Sequence, residues 1–116
     1  MTAIAFGTIV LTDFPSTDLS SAKRRPALVI SSDNDRRTDI VVAYITSVVR
    51  MENDAVLLAP TAANGLKVRS MVRFDKVARS DRRILSGRLG TVDLDWLEQQ
   101  RGIFCGVFGF KLSRSM

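Results

Sequence analysis

Short runs of β-forming residues, each cut off by Pro, Gly, Asn or a polar cluster, constrain this chain to a sheet of short strands. The first run spans residues 6–13, where Thr8, Ile9, Val10, Leu11 and Thr12 favour a strand and Pro15 ends it. Residues 16–23 read as a polar loop of Ser, Thr and Asp. Residues 25–32 read as a second strand, with Pro26 near its start, where a missing N–H is tolerable. A charged loop over residues 33–39 carries Arg36 and Arg37. Residues 40–46 are almost continuously apolar, the pattern of a strand covered on both faces. After a polar turn over residues 47–54, a short strand at 55–58 stops at Pro60 and the Asn64-Gly65 turn signal. Further strands are predicted over residues 70–77 and, around two glycines, 86–92.

One helix is predicted after Asp93, a good N-cap, with Asp95 in the first turn, where the helix dipole favours an anion. Leu97, Phe104 and Val107 recur at helical spacing, interrupted by Gln100. Gly102 and Gly106 each weaken this helix by up to roughly 1 kcal/mol relative to Ala, and they leave room for another backbone, such as a second subunit's. Trp96, Leu97, Phe104 and Phe108 are expected to pack the helix, with Cys105 a small apolar residue upon it. Five or six short strands followed by a C-terminal helix predict a mainly β fold, a small barrel with one helix packed on it. The whole chain, residues 1–116, is read as one domain, with a basic tail from about residue 111 that frays.

Charge and chemistry narrow what such a domain can do. Lys and Arg number 17 against 12 Asp and Glu, giving a net charge of +5, and thirteen of the cations are Arg. The planar guanidinium fork suits phosphate, so the surplus points toward nucleic acid. A single cysteine excludes an intramolecular disulfide and favours a cytoplasmic home. Met1 to Phe6 carry no basic leader, and the longest apolar stretch, residues 103–110, is far shorter than a membrane span. His is absent altogether, so catalysis must run on carboxylates, hydroxyls and Arg, and no metal site or cofactor is expected.

Three stretches follow one another in order along the chain. Gly7-Thr8-Ile9-Val10-Leu11-Thr12-Asp13-Phe14 precedes a polar loop and Arg25-Pro26-Ala27-Leu28-Val29-Ile30-Ser31; the apolar strand then ends in Tyr44-Ile45-Thr46-Ser47. Gly65-Leu66 leads to Ser70-Met71-Val72-Arg73-Phe74-Asp75, followed by the helix-bearing tail. In this order they resemble the MazF/PemK family of toxin ribonucleases, and the resemblance covers roughly residues 5 to 110. It implies an SH3-like β-barrel with a C-terminal helix, assembled as a homodimer. It also implies a metal-independent endoribonuclease that cuts single-stranded RNA, mRNA included, at short sequences. The products would be a 2′,3′-cyclic phosphate and a 5′-hydroxyl, and the outcome inhibition of translation and growth. A cognate antitoxin would hold the toxin in check, and DNA would be met only through that antitoxin.

By this resemblance the catalytic residues are Arg25, Thr46, Arg73 and Asp75. Arg73 and Asp75 lie two apart on a strand, so they share a face roughly 7 Å apart. Similarity to the PemK branch makes Asp75 the base for the 2′-hydroxyl. Arg73 then stabilises the phosphate, since a guanidinium is a poor proton donor. Arg25 would clamp the phosphate and Thr46 would supply a hydrogen bond. Without the resemblance, Arg73 and Asp75 read better as an exposed salt bridge, and Arg25 and Thr46 better as ordinary strand ends. Lys23, Arg24, Arg36, Arg37, Arg50 and Arg69 are candidate contacts to the RNA backbone, or simply a solvated surface. Tyr44 and Phe74 sit nearby, and either could be core.

The chain departs from the family at Ser21-Ala22-Lys23-Arg24, where members often carry Gly-Gly or Gln-Gly before the Arg-Pro pair. Two alternatives use the same barrel: a non-enzymatic toxin similar to CcdB that traps DNA gyrase, and an RNA-binding barrel without activity.

Overall fold

The computed structural model describes residues 4–14, 23–32 and 39–111. Six strands form one antiparallel sheet in the order β4-β5-β3-β2-β1-β6. They are β1 (Thr8–Phe14), β2 (Lys23–Val29), β3 (Asp39–Thr46), β4 (Ala55–Leu58), β5 (Ser70–Asp81) and β6 (Gly87–Thr91). A single 3-10 turn, Arg82–Ile84, joins β5 to β6, and two short helices, α1 (Leu94–Gln99) and α2 (Arg101–Val107), end the described chain. The sheet curls into a half-barrel with the helices packed on it, as predicted. The apolar run of β3 lies at its centre, between β5 and β2. None of the described helices is long and apolar enough to cross a membrane.

Alternation of side chains sorts the sheet into two apolar layers. Ile9, Leu28, Ala43, Ile45, Val72 and Phe74 point to the face that α1 and α2 cover, where Leu97 is buried and Trp96, Phe104 and Val107 pack. The Phe104 ring meets the buried Phe74 edge-on, with centroids 5.9 Å apart, and Phe108 continues the stack at 5.1 Å. Phe108 itself is exposed, so it caps this cluster rather than filling it. The opposite face buries Val10, Ala27, Val29, Ile40 and Val42 with Ile4.

The loop after β4 folds back onto β6 and closes the gap between the sheet's two edges. Thr91 donates its N–H to the Ala63 carbonyl at 2.8 Å. Asn64, buried in this loop, wires it together: its Oδ1 accepts from the Thr61 and Leu66 amides at 3.0 Å each, and its Nδ2 donates to the Ala59 carbonyl at 2.9 Å. Two glycines make the closure possible. A Cβ on Gly90 would lie 2.0 Å from the Ala63 carbonyl oxygen, and one on Gly65 (φ +70°) 2.1 Å from that of Leu89.

Several boundaries differ from expectation. Lys23 and Arg24 belong to β2, where they pair with Phe14 and Asp13, rather than to a loop. Pro26 lies inside β2, just before β3 pairing begins at Ala27, so its missing N–H breaks no β2–β3 ladder. β5 runs on to Asp81 because its second half pairs with β3 up to Asp39. The helix divides at Gln100. The Gln100 N–H turns to the Leu97 carbonyl at 3.0 Å, while its side-chain Nε2 donates to the Trp96 carbonyl that a continuous helix would have used. Asp93 caps α1 as predicted, its Oδ1 accepting from the Asp95 amide at 2.9 Å. Arg36, Arg37, most of the polar loop before β2 and all but the first residue of the basic tail lie outside the described residues.

Candidate active site

On the face opposite the helices, the apolar layer gives way to polar side chains toward the end of β3. Register sets this up: Thr12 faces Arg25 across β1–β2, Ala27 faces Tyr44 across β2–β3, and Tyr44 faces Arg73 across β3–β5. Arg25, Tyr44, Thr46 and Arg73 therefore share one surface, although they come from three strands. The guanidinium of Arg25 lies over the Tyr44 ring, 5.3 Å from its centroid, and the Lys76 ammonium approaches the same ring at 5.8 Å. Tyr44, only 9% exposed, is a platform shared by two cations.

Two hollows meet at Thr46, which lines both. One is lined by Ile45, Leu66 and Leu89 of the helix-side apolar layer, with Leu11, Arg24, Arg25, Ser47 and Lys67. The other, about 220 Å³, is lined by Tyr44, Thr46, Val48, Arg50, Arg73 and Lys76. The Thr46 hydroxyl accepts the Val48 N–H at 3.1 Å, which fixes the side chain and leaves the hydroxyl hydrogen as a donor.

Arg73 and Asp75 form a two-pronged pair: Nε donates to Oδ1 at 2.9 Å and Nη2 to Oδ2 at 2.7 Å. Glu52, from the loop before β4, holds the same Nη2 at 2.9 Å. The hydrogen bonds from Arg73 pull the Asp75 carboxyl below the usual carboxylate range, and the Asp75 carboxylate in turn raises the Arg73 pKa. Asp75 is thus ionised but tied to its neighbour, and it reaches the second hollow only through Arg73. Among the described residues, no group of three His, Cys, Asp or Glu gathers to hold a metal ion.

Of the sequence candidates, Arg25, Thr46 and Arg73 come together, with Asp75 attached. Arg24 rims the first hollow and Arg50 lines the second. Arg69 is exposed in the loop before β5 and lines neither. Lys23 begins β2, but its side chain lies outside the described residues, as do Arg36 and Arg37. Sequence reading missed Glu52, Lys67 and Lys76 and left Tyr44 unassigned. Tyr44 was accessible by parity, since it stands two residues before Thr46 on one strand. Nothing in the sequence marked Lys76, because strict alternation would send it to the same face as the buried Phe74.

The family model for PemK-like, MazF-like toxins of type II toxin–antitoxin systems matches residues 5–102. The chain belongs to this toxin family. Solved structures agree at the level of the fold. A mycobacterial endoribonuclease in complex with its cognate antitoxin superposes with a TM-score of 0.79 at 18% identity, covering 96% of this chain and 100% of that one. The Mycobacterium tuberculosis toxin MazF-mt6 gives 0.73 at 21% identity, over 90% and 99% of the two chains. The MazF of a Deinococcus radiodurans MazE–MazF complex gives 0.73 at 23%, over 96% and 100%. No curated protein matches. Membership of the MazF-like family, which the sequence motifs anticipated, leaves the gyrase-trapping alternative without support.

Proposed function

We propose that this chain is the toxin of a type II toxin–antitoxin pair, a sequence-specific endoribonuclease that cuts single-stranded RNA without a metal ion. The observation that carries the reading is the placement of Thr46 between two cation-bearing hollows, one with Arg25 and the other with Arg73. A phosphodiester lying across Thr46 meets a guanidinium on either side, the support that a crowded pentavalent phosphorane needs. The phosphate then competes with Glu52 and Asp75 for the Arg73 guanidinium. As it does so, the Asp75 carboxylate is freed to take the proton of the 2′-hydroxyl. The 2′-oxygen attacks phosphorus, the bond to the 5′-oxygen breaks, and a 2′,3′-cyclic phosphate and a 5′-hydroxyl result. In this reading the protein works as a cytoplasmic homodimer restrained by a cognate antitoxin.

The test is to incubate the purified protein with a long transcript in EDTA and map the new 5′ ends. Defined cuts with 5′-hydroxyl termini that survive EDTA are expected. Intact RNA, or cuts that disappear with EDTA, would overturn the proposal.

A further inference from the structure

The mechanism above leaves the departing 5′-oxygen without a proton donor. His is absent, and a guanidinium is a poor acid. An irregularity in β5 bears on this gap. Tyr44 pairs with Arg73, yet the preceding residue Ala43 pairs with Val77, so Phe74, Asp75 and Lys76 have no partner on β3. An odd number of extra residues reverses the alternation of the strand. Before the bulge, odd-numbered Arg73 shares the face of Tyr44, while Val72 and Phe74 enter the helix-covered core. Beyond it, even-numbered Ala78 faces Val42 and packs on the opposite apolar layer. A regular strand would aim Lys76 into the core beside Phe74; the bulge turns it out over the Tyr44 ring and into the hollow shared with Thr46 and Arg73.

Resting on the endoribonuclease reading, we propose that Lys76 is the general acid of the cleavage step. As the 2′-oxygen forms its bond to phosphorus and its proton passes to Asp75, the phosphorus–O5′ bond breaks. The leaving oxygen takes a proton from the Lys76 ammonium. The neutral amine afterwards regains a proton from water, and Asp75 releases its own, so protons balance over the turnover. Tyr44 positions this ammonium through its ring face. Arg25, Thr46 and Arg73 hold the phosphate and donate no proton to the leaving group.

The test uses an RNA oligonucleotide spanning one mapped cut, made with oxygen or with sulfur at the bridging 5′ position. A thiolate leaves without a proton, so the sulfur substrate bypasses any general acid. Wild-type protein, Lys76→Arg, Lys76→Gln and Tyr44→Phe are compared on both, with folding verified by circular dichroism. Lys76→Arg keeps the charge but gives up the readily released proton. It is expected to lose about 10²- to 10⁴-fold in kcat on the oxygen substrate, with little change in KM, and to match wild type on the sulfur substrate. Tyr44→Phe removes only the phenol, the other nearby group that could give up a proton, and whatever it loses is expected to be equal on the two substrates. Lys76→Arg cutting the oxygen substrate at the wild-type rate would overturn the proposal. So would an equal loss on both substrates, which means phosphate binding or structure, and so would sulfur rescue of Tyr44→Phe in its place. Failure of wild type to cut either substrate would instead remove the endoribonuclease reading and this proposal with it.

Discussion

The Arg73 guanidinium is held by two carboxylates at once, and the site's chemistry turns on which of them lets go. Its two-pronged bond to Asp75 depresses the Asp75 pKa, and the contact to Glu52 adds a second anion. A carboxyl depressed in the folded state contributes stability that is complete above its unfolded value of 3.8. That contribution is lost as pH falls through the lower folded value. Urea midpoints should therefore fall below about pH 4, and the Asp75→Asn variant should show a shallower acid decline; identical declines would contradict the pairing. Asp81, whose carboxyl is pulled down to about 2 by Arg83, should likewise titrate late in a carbon-detected carboxyl titration. In the proposed cleavage, Arg25→Ala removes a donor to the phosphate and is expected to slow the reaction by about 10²- to 10³-fold in a still-folded protein. A rate within a few-fold of wild type would take Arg25 out of the site.

Single elements depend on contacts that local sequence does not announce. Asn64 satisfies two backbone amides and a carbonyl from a buried position, so Asn64→Ala should lower stability by about 2 to 4 kcal/mol in chemical denaturation. Loss of well under 1 kcal/mol would mean that water replaces the side chain. The strand at residues 55–58 and the Asp93 cap were legible because β-formers and a capping carboxylate act locally. The end of β5 was not, because Ala78, Arg79, Ser80 and Asp81 are weak strand formers held in place by the distant β3. The break at Gln100 was half visible, since Gln100 interrupts the apolar spacing. Its cause, a side-chain amide replacing a backbone donor, required coordinates.

At the scale of the molecule, the proposed function rests on the curl of one sheet, which brings cations from separate strands together. Arg25, Thr46 and Arg73 were legible as candidates only through family resemblance, since each alone reads as an ordinary strand residue. Lys76 was hidden because a bulge reverses the alternation from which strand faces are read. The net charge of +5 predicts RNA binding that weakens steeply with salt. Arg50, which lines the second hollow, should account for one contact, so Arg50→Gln should lower the slope of log K against log salt by about 0.7. An unchanged slope would place the RNA elsewhere. The central claim is that one phosphodiester sits across Thr46 between Arg25 and Arg73. Its most direct test is an amide-resolved NMR titration with an oligonucleotide carrying a 2′-deoxy sugar at the mapped cut, which binds but cannot be cleaved. Shifts should concentrate on Arg25, Tyr44, Thr46, Arg73 and Lys76; shifts confined to the helix face from Leu94 to Phe108, with those five unmoved, would contradict it.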